Sequence, residues 1–403
     1  MRRALAGLVA VFAATHVLLA QQTPQTATFR SGVELVALDV QVVGRDGDPI
    51  QGLAADDFRV SIDGKPRRVV SVDMIQYPIA ASVSAALASV LDSRPAHLPD
   101  VRGRMFILAI DDASFSTQSA GAAFDAAKRF VERLPPEDVV GLFAYPLGPG
   151  KLDLHHDHAA VSRAISQLVG LKDPFLGDFH LTVSEIADIT SFDSDTVRRV
   201  MARECQSGDL SCAPRLRAEA ASLAGMLEMR ATQSLASLRY LLDNIKNLPY
   251  RKTVVLVSGG LVTTDRSGGR PDVGLLIRTI GEEAAAHNMN LYVLHMDTSL
   301  AEATNATAPR TDEQSLFRDV EAWARGLDLI AGVAGGSLIR SQAGTGDLAF
   351  DRVLKETTAY YLLGVAPEDP DRDGKLHFIK AGVTTRGATV RSRTKLVIPK
   401  KGL

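Results

Sequence analysis

The stretch RMFILAIDDASFS, residues 104–116, constrains this chain more than any other. Residues 105–110 form an unbroken apolar run, as expected of a strand buried on both faces in a parallel sheet. Two carboxylates follow at once, Asp111 and Asp112, and then hydroxyls at alternate positions, Ser114 and Ser116. Asp112, Ser114 and Ser116 therefore spell D-x-S-x-S directly after a core strand. Ligands bind at the carboxyl ends of strands in open α/β sheets. A carboxylate and two hydroxyls on one loop are hard oxygen donors suited to Mg²⁺ or Ca²⁺. The other reading is that Asp112 caps the following helix and the serines close the turn.

From residue 104 the chain alternates strands and helices. Strands are expected at 105–110, 139–145, 254–257, 291–295 and 337–339, with a short edge strand at 151–155. Helices are expected at 119–134, 159–169, 273–287, 313–333 and 347–358. This pattern predicts a doubly wound parallel sheet flanked by helices. Residues 174–214 break it and read as an insertion. An amphipathic helix follows to residue 248, with Leu216, Leu223, Leu227, Leu238, Leu242 and Ile245 at helical spacings. It reads as a helix covering the sheet; the alternative is an arm that binds a partner.

The two ends read differently. Short strands at 33–43, 57–62 and 69–75 are joined by turn signals such as Asp63-Gly64. Strands return at 360–365, 375–383 and 389–398. Neither group is large enough to bury a core alone. We therefore expect one small β-sandwich from residues 27–78 and 359–399, with a linker at 79–100 and the α/β domain, residues 101–358, inserted between its halves. Arg391, Arg393 and Lys395 alternate along the last strand. They read as a solvated face, or as contact with an anionic surface.

The D-x-S-x-S segment resembles the metal-ion-dependent adhesion site of von Willebrand factor type A domains. The flanking segments, VALDVQVVGRDGDPIQGLAADDFRVSIDGKPRRVVSV at 36–72 and YYLLGVAPEDPDRDGKLHFIKAGVTTRGATVRSRTKLVIP at 360–399, extend the likeness, as does RKTVVLVSGGL at 251–261. Together they resemble the exported bacterial von Willebrand A-related proteins of acidobacterial type. The resemblance implies a second-loop threonine, for which Thr182 is the candidate, and an acid after the fourth strand. Gly259 stands at that acid's position; Asp265 lies further along, and Asp111 is a further carboxylate. Loss of an acid weakens a hard-cation site, so the cofactor implied is one weakly bound Mg²⁺ or Ca²⁺. The function implied is a non-enzymatic binding module for a protein or extracellular polymer. The alternatives are a structural scaffold with a vestigial metal site, and a metal-dependent hydrolase.

Other features set the compartment. Residues 1–20 have two arginines followed by an apolar run of secretory length, so a signal peptide is expected; a retained anchor is the alternative. No other segment is apolar enough to span a bilayer, and with the signal peptide removed the mature chain is expected in the periplasm or outside the cell. There, Cys205 and Cys212, the only cysteines, are expected to pair; separately buried thiols are the alternative. A net charge of −2 argues against nucleic acid as a partner. The run His155-His156-Asp157-His158 suggests Zn²⁺, but neighbours in an extended segment point apart, and a solvated loop is the better reading. Ser258-Gly259-Gly260 is read as a strand-to-helix turn rather than a phosphate cradle.

Overall fold

The computed structural model describes residues 35–77, 103–146, 153–172, 177–248, 251–264, 266, 268–287, 289–299, 302 and 313–400. The expected signal peptide and the whole of the expected linker lie outside them, as does Asp265. In chain order the elements are β1 (Val36–Val43), β2 (Phe58–Ile62), β3 (Lys65–Gln76), β4 (Met105–Asp111), α1 (Ala120–Glu132), β5 (Val139–Tyr145), β6 (Leu154–His155) and α2 (His158–Ile165). There follow α3 (Val183–Thr190), α4 (Ser194–Glu204), α5 (Cys212–Ile245), β7 (Lys252–Ser258), α6 (Gly274–Ala286), β8 (Met289–Asp297), α7 (Glu313–Ala334), β9 (Ser337–Gln342) and α8 (Gly346–Glu356). The chain ends with β10 (Ala359–Ala366), β11 (Leu376–Val383), β12 (Thr389–Ser392) and β13 (Lys395–Val397).

The central strands form a sheet in the order β6-β5-β4-β7-β8-β9. All pairings are parallel except that of the edge strand β6 with β5. All seven residues of β4 are buried, because helices cover both faces. Alternate side chains feed opposite cores. Met105, Ile107 and Ala109 face α5, α6 and α7, alongside Val254, Leu256, Leu291 and Val293. Phe106, Leu108 and Ile110 face α1, α2 and α8, alongside Val255, Val257, Tyr292 and Leu294. The expected doubly wound α/β sheet is thus present.

The end segments also combine as expected. They form a single antiparallel sheet in the order β12-β1-β10-β3-β2-β11-β13. β10 lies between β1 and β3, so strands from the two ends of the chain interleave. The sheet curls, because its two end strands, β12 and β13, are joined by Arg393 and Thr394 alone; the Ile379 N–H of β11 donates to the Thr394 carbonyl at 2.8 Å. Leu38, Val40, Phe58, Val60, Tyr361 and Leu363 fill the interior of the curl. In place of the two packed sheets of a sandwich, one rolled sheet encloses this core. The predicted strand at 389–398 is broken into β12 and β13, which pair with β1 and β11 respectively.

The solvated-face reading of the C-terminal arginines is corrected for Arg391, whose side chain is 7% exposed. It turns toward the α/β sheet and pairs with Glu356 of α8 at 2.5 Å. Gln41 of β1 joins the same cluster. Its Nε2 donates to the Glu356 carbonyl oxygen, and its Oε1 accepts from the Tyr292 hydroxyl at 3.1 Å. A charge on a strand that looked solvent-facing in sequence thus locks the curled sheet to the base of the α/β sheet.

The curled sheet also carries a pH-sensitive contact. His377 of β11 bridges Asp63 at 2.7 Å through Nδ1 and Asp373 at 3.0 Å through Nε2. The Asp63 hydrogen bond, then Asp373, raises its pKa above the ordinary 6.5. A histidine raised on folding contributes stability that is complete below its unfolded value and lost as pH rises through its folded one. Replacing His377 with glutamine should therefore cost more stability at pH ~5.5 than at pH ~8.5. Paired urea titrations of wild type and His377→Gln measure this; an equal loss at both pH values would contradict it.

Candidate functional site

β4 delivers Asp111 and Asp112 to the carboxyl edge of the sheet, beside β7. The sheet order reverses there, which is where α/β folds open a crevice. Asp111 is still part of the strand and is buried. Its Oδ1 accepts from the Ser234 hydroxyl of α5 at 3.3 Å, and its Oδ2 from the Ser258 hydroxyl at the end of β7 at 3.2 Å. Burial pushes its pKa up to about 7, against these two hydrogen bonds.

Asp112 opens a single 3₁₀ turn, Asp112–Ser114. Its Oδ1 is buried and has no hydrogen-bond partner. Burial pushes this carboxyl up to about 6. The two serines of the motif are already engaged. The Ser114 hydroxyl donates to the Asp111 carbonyl at 2.6 Å and accepts from the Gly259 N–H at 2.7 Å. The Ser116 hydroxyl lies 2.8 Å from that of Ser119 at the start of α1.

Glycines hold this loop from two sides. A Cβ at Gly170 would lie 2.4 Å from the Ser116 carbonyl oxygen and 2.5 Å from that of Phe115. A Cβ at Gly259 would lie 2.6 Å from the Ser114 carbonyl oxygen. Backbone bonds complete the clamp: the Leu171 N–H donates to Asp112 at 2.9 Å and the Lys172 N–H to Phe115 at 2.8 Å. Gly259 thus stands where the resemblance expects an acid because the backbones meet too closely for a side chain.

A cavity of about 30 Å³ lies over the crevice, lined among others by Asp111, Ser114, Lys172, Arg230, Ser234 and Trp323. Lys172 pairs with Glu302 at 2.9 Å and sits 4.3 Å from the centre of the Trp323 ring. Leu227, Ala231, Leu261 and Val262 complete a mostly apolar wall, on which a buried carboxyl, hydroxyls, two basic side chains and an aromatic face converge around a space of about two water-sized groups. Sequence reading missed Lys172, Arg230, Ser234 and Trp323. They lie on the insertion boundary, on α5 and on α7, and no local pattern ties them to D-x-S-x-S. The adjacent Ser258 had a signal, since it directly follows a buried strand.

Thr182 does not join the loop's hydrogen bonds. It is the N-cap of α3: its hydroxyl accepts from the Glu185 N–H at 3.3 Å, and the Glu185 carboxylate accepts from the Thr182 N–H at 3.1 Å. This reciprocal pair is a capping box. Of the hard donors singled out in the sequence, Asp112 offers an unengaged oxygen, whereas the serine hydroxyls have protein partners. Among the described residues, no group of three or more His, Cys, Asp or Glu is placed to hold a metal.

The insertion forms α3, α4 and the approach to α5, packed around Phe179, Ile186, Val200, Leu216 and Leu223. A disulfide joins Cys205 to Cys212, with Cα atoms 6.2 Å apart, and ties the end of α4 to the start of α5. α5 serves two cores: Leu216 to Leu227 pack in the insertion and Leu235 to Ile245 on the sheet. The sheet-covering reading thus describes its second half. In the histidine run, Asp157 caps α2 by accepting from the Ala160 N–H at 3.0 Å. His158 Nε2 lies 2.9 Å from the Asp138 carbonyl oxygen, while His155 and His156 are exposed.

Counted from β4, the central sheet has the order 3-2-1-4-5-6 with an antiparallel edge, and helices cover both faces. This is a doubly wound, mostly parallel α/β sheet, joined to a curled antiparallel sheet. Among solved structures, the chain is similar to the VWA domain of SpRpn10, with 10% identity and a TM-score of 0.26, over 62% of this chain and 93% of that one. No family model and no curated protein matches the chain. No helix among the described residues is long and apolar enough to cross a membrane.

Proposed function

We propose that this protein is an exported, non-enzymatic binding module of the bacterial von Willebrand A-related type. It engages a protein or extracellular polymer through the crevice at the ends of β4 and β7. The observation that carries this reading is the cavity at the topological switch point, where Asp111, Ser114 and Ser234 meet Lys172, Arg230 and Trp323. The Cys205–Cys212 bond supports an oxidising compartment.

In this reading a divalent cation is an optional, weakly held part of the site, with the buried Asp112 oxygen as its anchor. The Ser114 and Ser116 hydroxyls would each have one lone pair left for it beside their present hydrogen bonds. Calorimetric titration with Mg²⁺, Ca²⁺ and Mn²⁺ should therefore show weak binding. A thermal shift should arise only at cation concentrations well above the dissociation constant. Asp112→Ala should remove both signals. No binding to wild type at millimolar cation would refute the metal reading.

The scaffold reading would then come first. The engagement of both serine hydroxyls within the protein already favours it. The hydrolase reading is tested by a panel of ester, phosphoester and glycoside substrates, with Asp112→Ala as control. Turnover in wild type that is lost in the variant would replace the binding reading.

A further inference from the structure

At the opposite end of the sheet from the crevice, the curled sheet meets the starts of β7 and β8 around a second cavity of about 20 Å³. Its lining includes Asp39, Asn290, Arg251, Arg391, Ser392 and Arg393. Three guanidinium groups thus border a space that a single lining carboxylate shares. Arg391 has its own partner in Glu356. The other two do not have a matching arrangement. Arg251 has a side chain only 15% exposed, stacks on the Tyr360 ring at 4.6 Å and stands 4.0 Å from Asp39. Among the described residues it makes no hydrogen bond. The Nε of Arg393 is buried without a hydrogen-bond partner, and burial lowers the pKa of this guanidinium.

Arg251 and Arg393 are both partly buried, and a buried donor such as the Arg393 Nε is costly unless a partner group, water or an ion satisfies it. Helix ends supply part of the compensation. The carboxyl ends of α6 and α7 reach the lining at Ala285, Ala334 and Gly335, and such ends carry partial negative charge. Yet no helix carbonyl accepts from the Arg393 Nε. Guanidinium groups bind planar oxyanions through paired N–H donors. The space suits one or two oxygen-sized groups, at about 10–15 Å³ each. That fits the two oxygens of a carboxylate better than the four of a phosphate.

We propose that Arg251 and Arg393 form a carboxylate-binding site at the junction of the two sheets. Its ligand is the carboxylate of a small organic acid or of an acidic side chain. The site is separate from the crevice and needs no cation.

The test is thermal unfolding of the full chain in EDTA, with sodium acetate against sodium chloride of equal ionic strength. Acetate should raise the midpoint above the chloride control. Arg393→Gln and Arg251→Gln should abolish that difference, while Arg198→Gln, which removes an exposed arginine, should keep it. A blocked glutamate, N-acetylglutamate amide, distinguishes the sources: a larger shift than acetate assigns the site to acidic side chains, an equal one to free acids. Phosphate acting where acetate does not would overturn the carboxylate assignment. An acetate effect equal to that of chloride, or one persisting in Arg393→Gln, would overturn the site. Should the variants fail to fold, phenylglyoxal labelling of wild type decides. Acetate should slow modification of Arg251 and Arg393 in peptide maps, and unchanged labelling refutes the proposal.

Discussion

A chain truncated before residue 360 is expected to lose the curled sheet entirely. The deletion removes β10, β11, β12 and β13, and β10 is the strand to which both β1 and β3 pair. What remains of the sheet is the β2–β3 hairpin and an isolated β1. Their apolar side chains, Leu38, Val40, Val42, Phe58 and Val60, would face water. A hairpin is marginal alone, and the lost core exceeds anything local repacking can offset. The α/β sheet keeps its two helix-covered cores but loses the Arg391–Glu356 contact at its base. Limited proteolysis with mass spectrometry should show early cleavage within residues 36–76 and aggregation of the truncated chain. A protease-resistant fragment covering those strands would contradict the interleaved pairing.

Introducing an acid at Gly259 is expected to damage the fold rather than build a metal site. The type A resemblance suggests that Gly259→Asp should strengthen cation binding. The geometry argues the reverse: a Cβ there meets the Ser114 carbonyl oxygen at 2.6 Å and the Phe115 ring at 3.3 Å. The first contact is with backbone, so no rotamer change relieves it. Overpacking of this kind costs about 1–3 kcal/mol, and we place Gly259→Asp at the upper end because the carboxylate must also be accommodated. Gly259→Ala should show most of the loss, since the Cβ is the offending atom. Urea unfolding of the two variants, with Mg²⁺ titration of each, measures both effects. Wild-type stability with tighter Mg²⁺ binding in Gly259→Asp would show that the loop yields readily.

The sheet was legible because its signals are local. An apolar run such as residues 105–110 must be buried on both faces, and the strand–helix alternation then limits the arrangement. The joining of the chain ends was also legible, since neither group of strands had enough partners. What could not be read was how side chains meet across distance. Arg391 lies on an alternating strand and looked solvent-facing until Glu356, from α8, was placed beside it. Thr182 matched a chemical type at a plausible position, and its spacing to Glu185 also makes a capping box, the role its hydrogen bonds show. Gly259 gave the opposite lesson. An absent acid looked like loss of function, whereas the glycine answers to the approach of the Ser114 backbone. Lys172 and Trp323 lie far apart in sequence and converge only in the folded chain.

That convergence gives the molecule a spectroscopic handle. Trp323 is the sole tryptophan in the sequence. It lines the crevice cavity, with Lys172 over its ring and Gly260 against its side chain. Tryptophan emission excited apart from the tyrosines therefore originates at a single known place. A ligand that enters the crevice, or a cation held by the Asp112 loop, alters the surroundings of that one indole. Intensity and wavelength changes can then be assigned to the site without labelling, while an acid bound between the two sheets leaves the emission unperturbed.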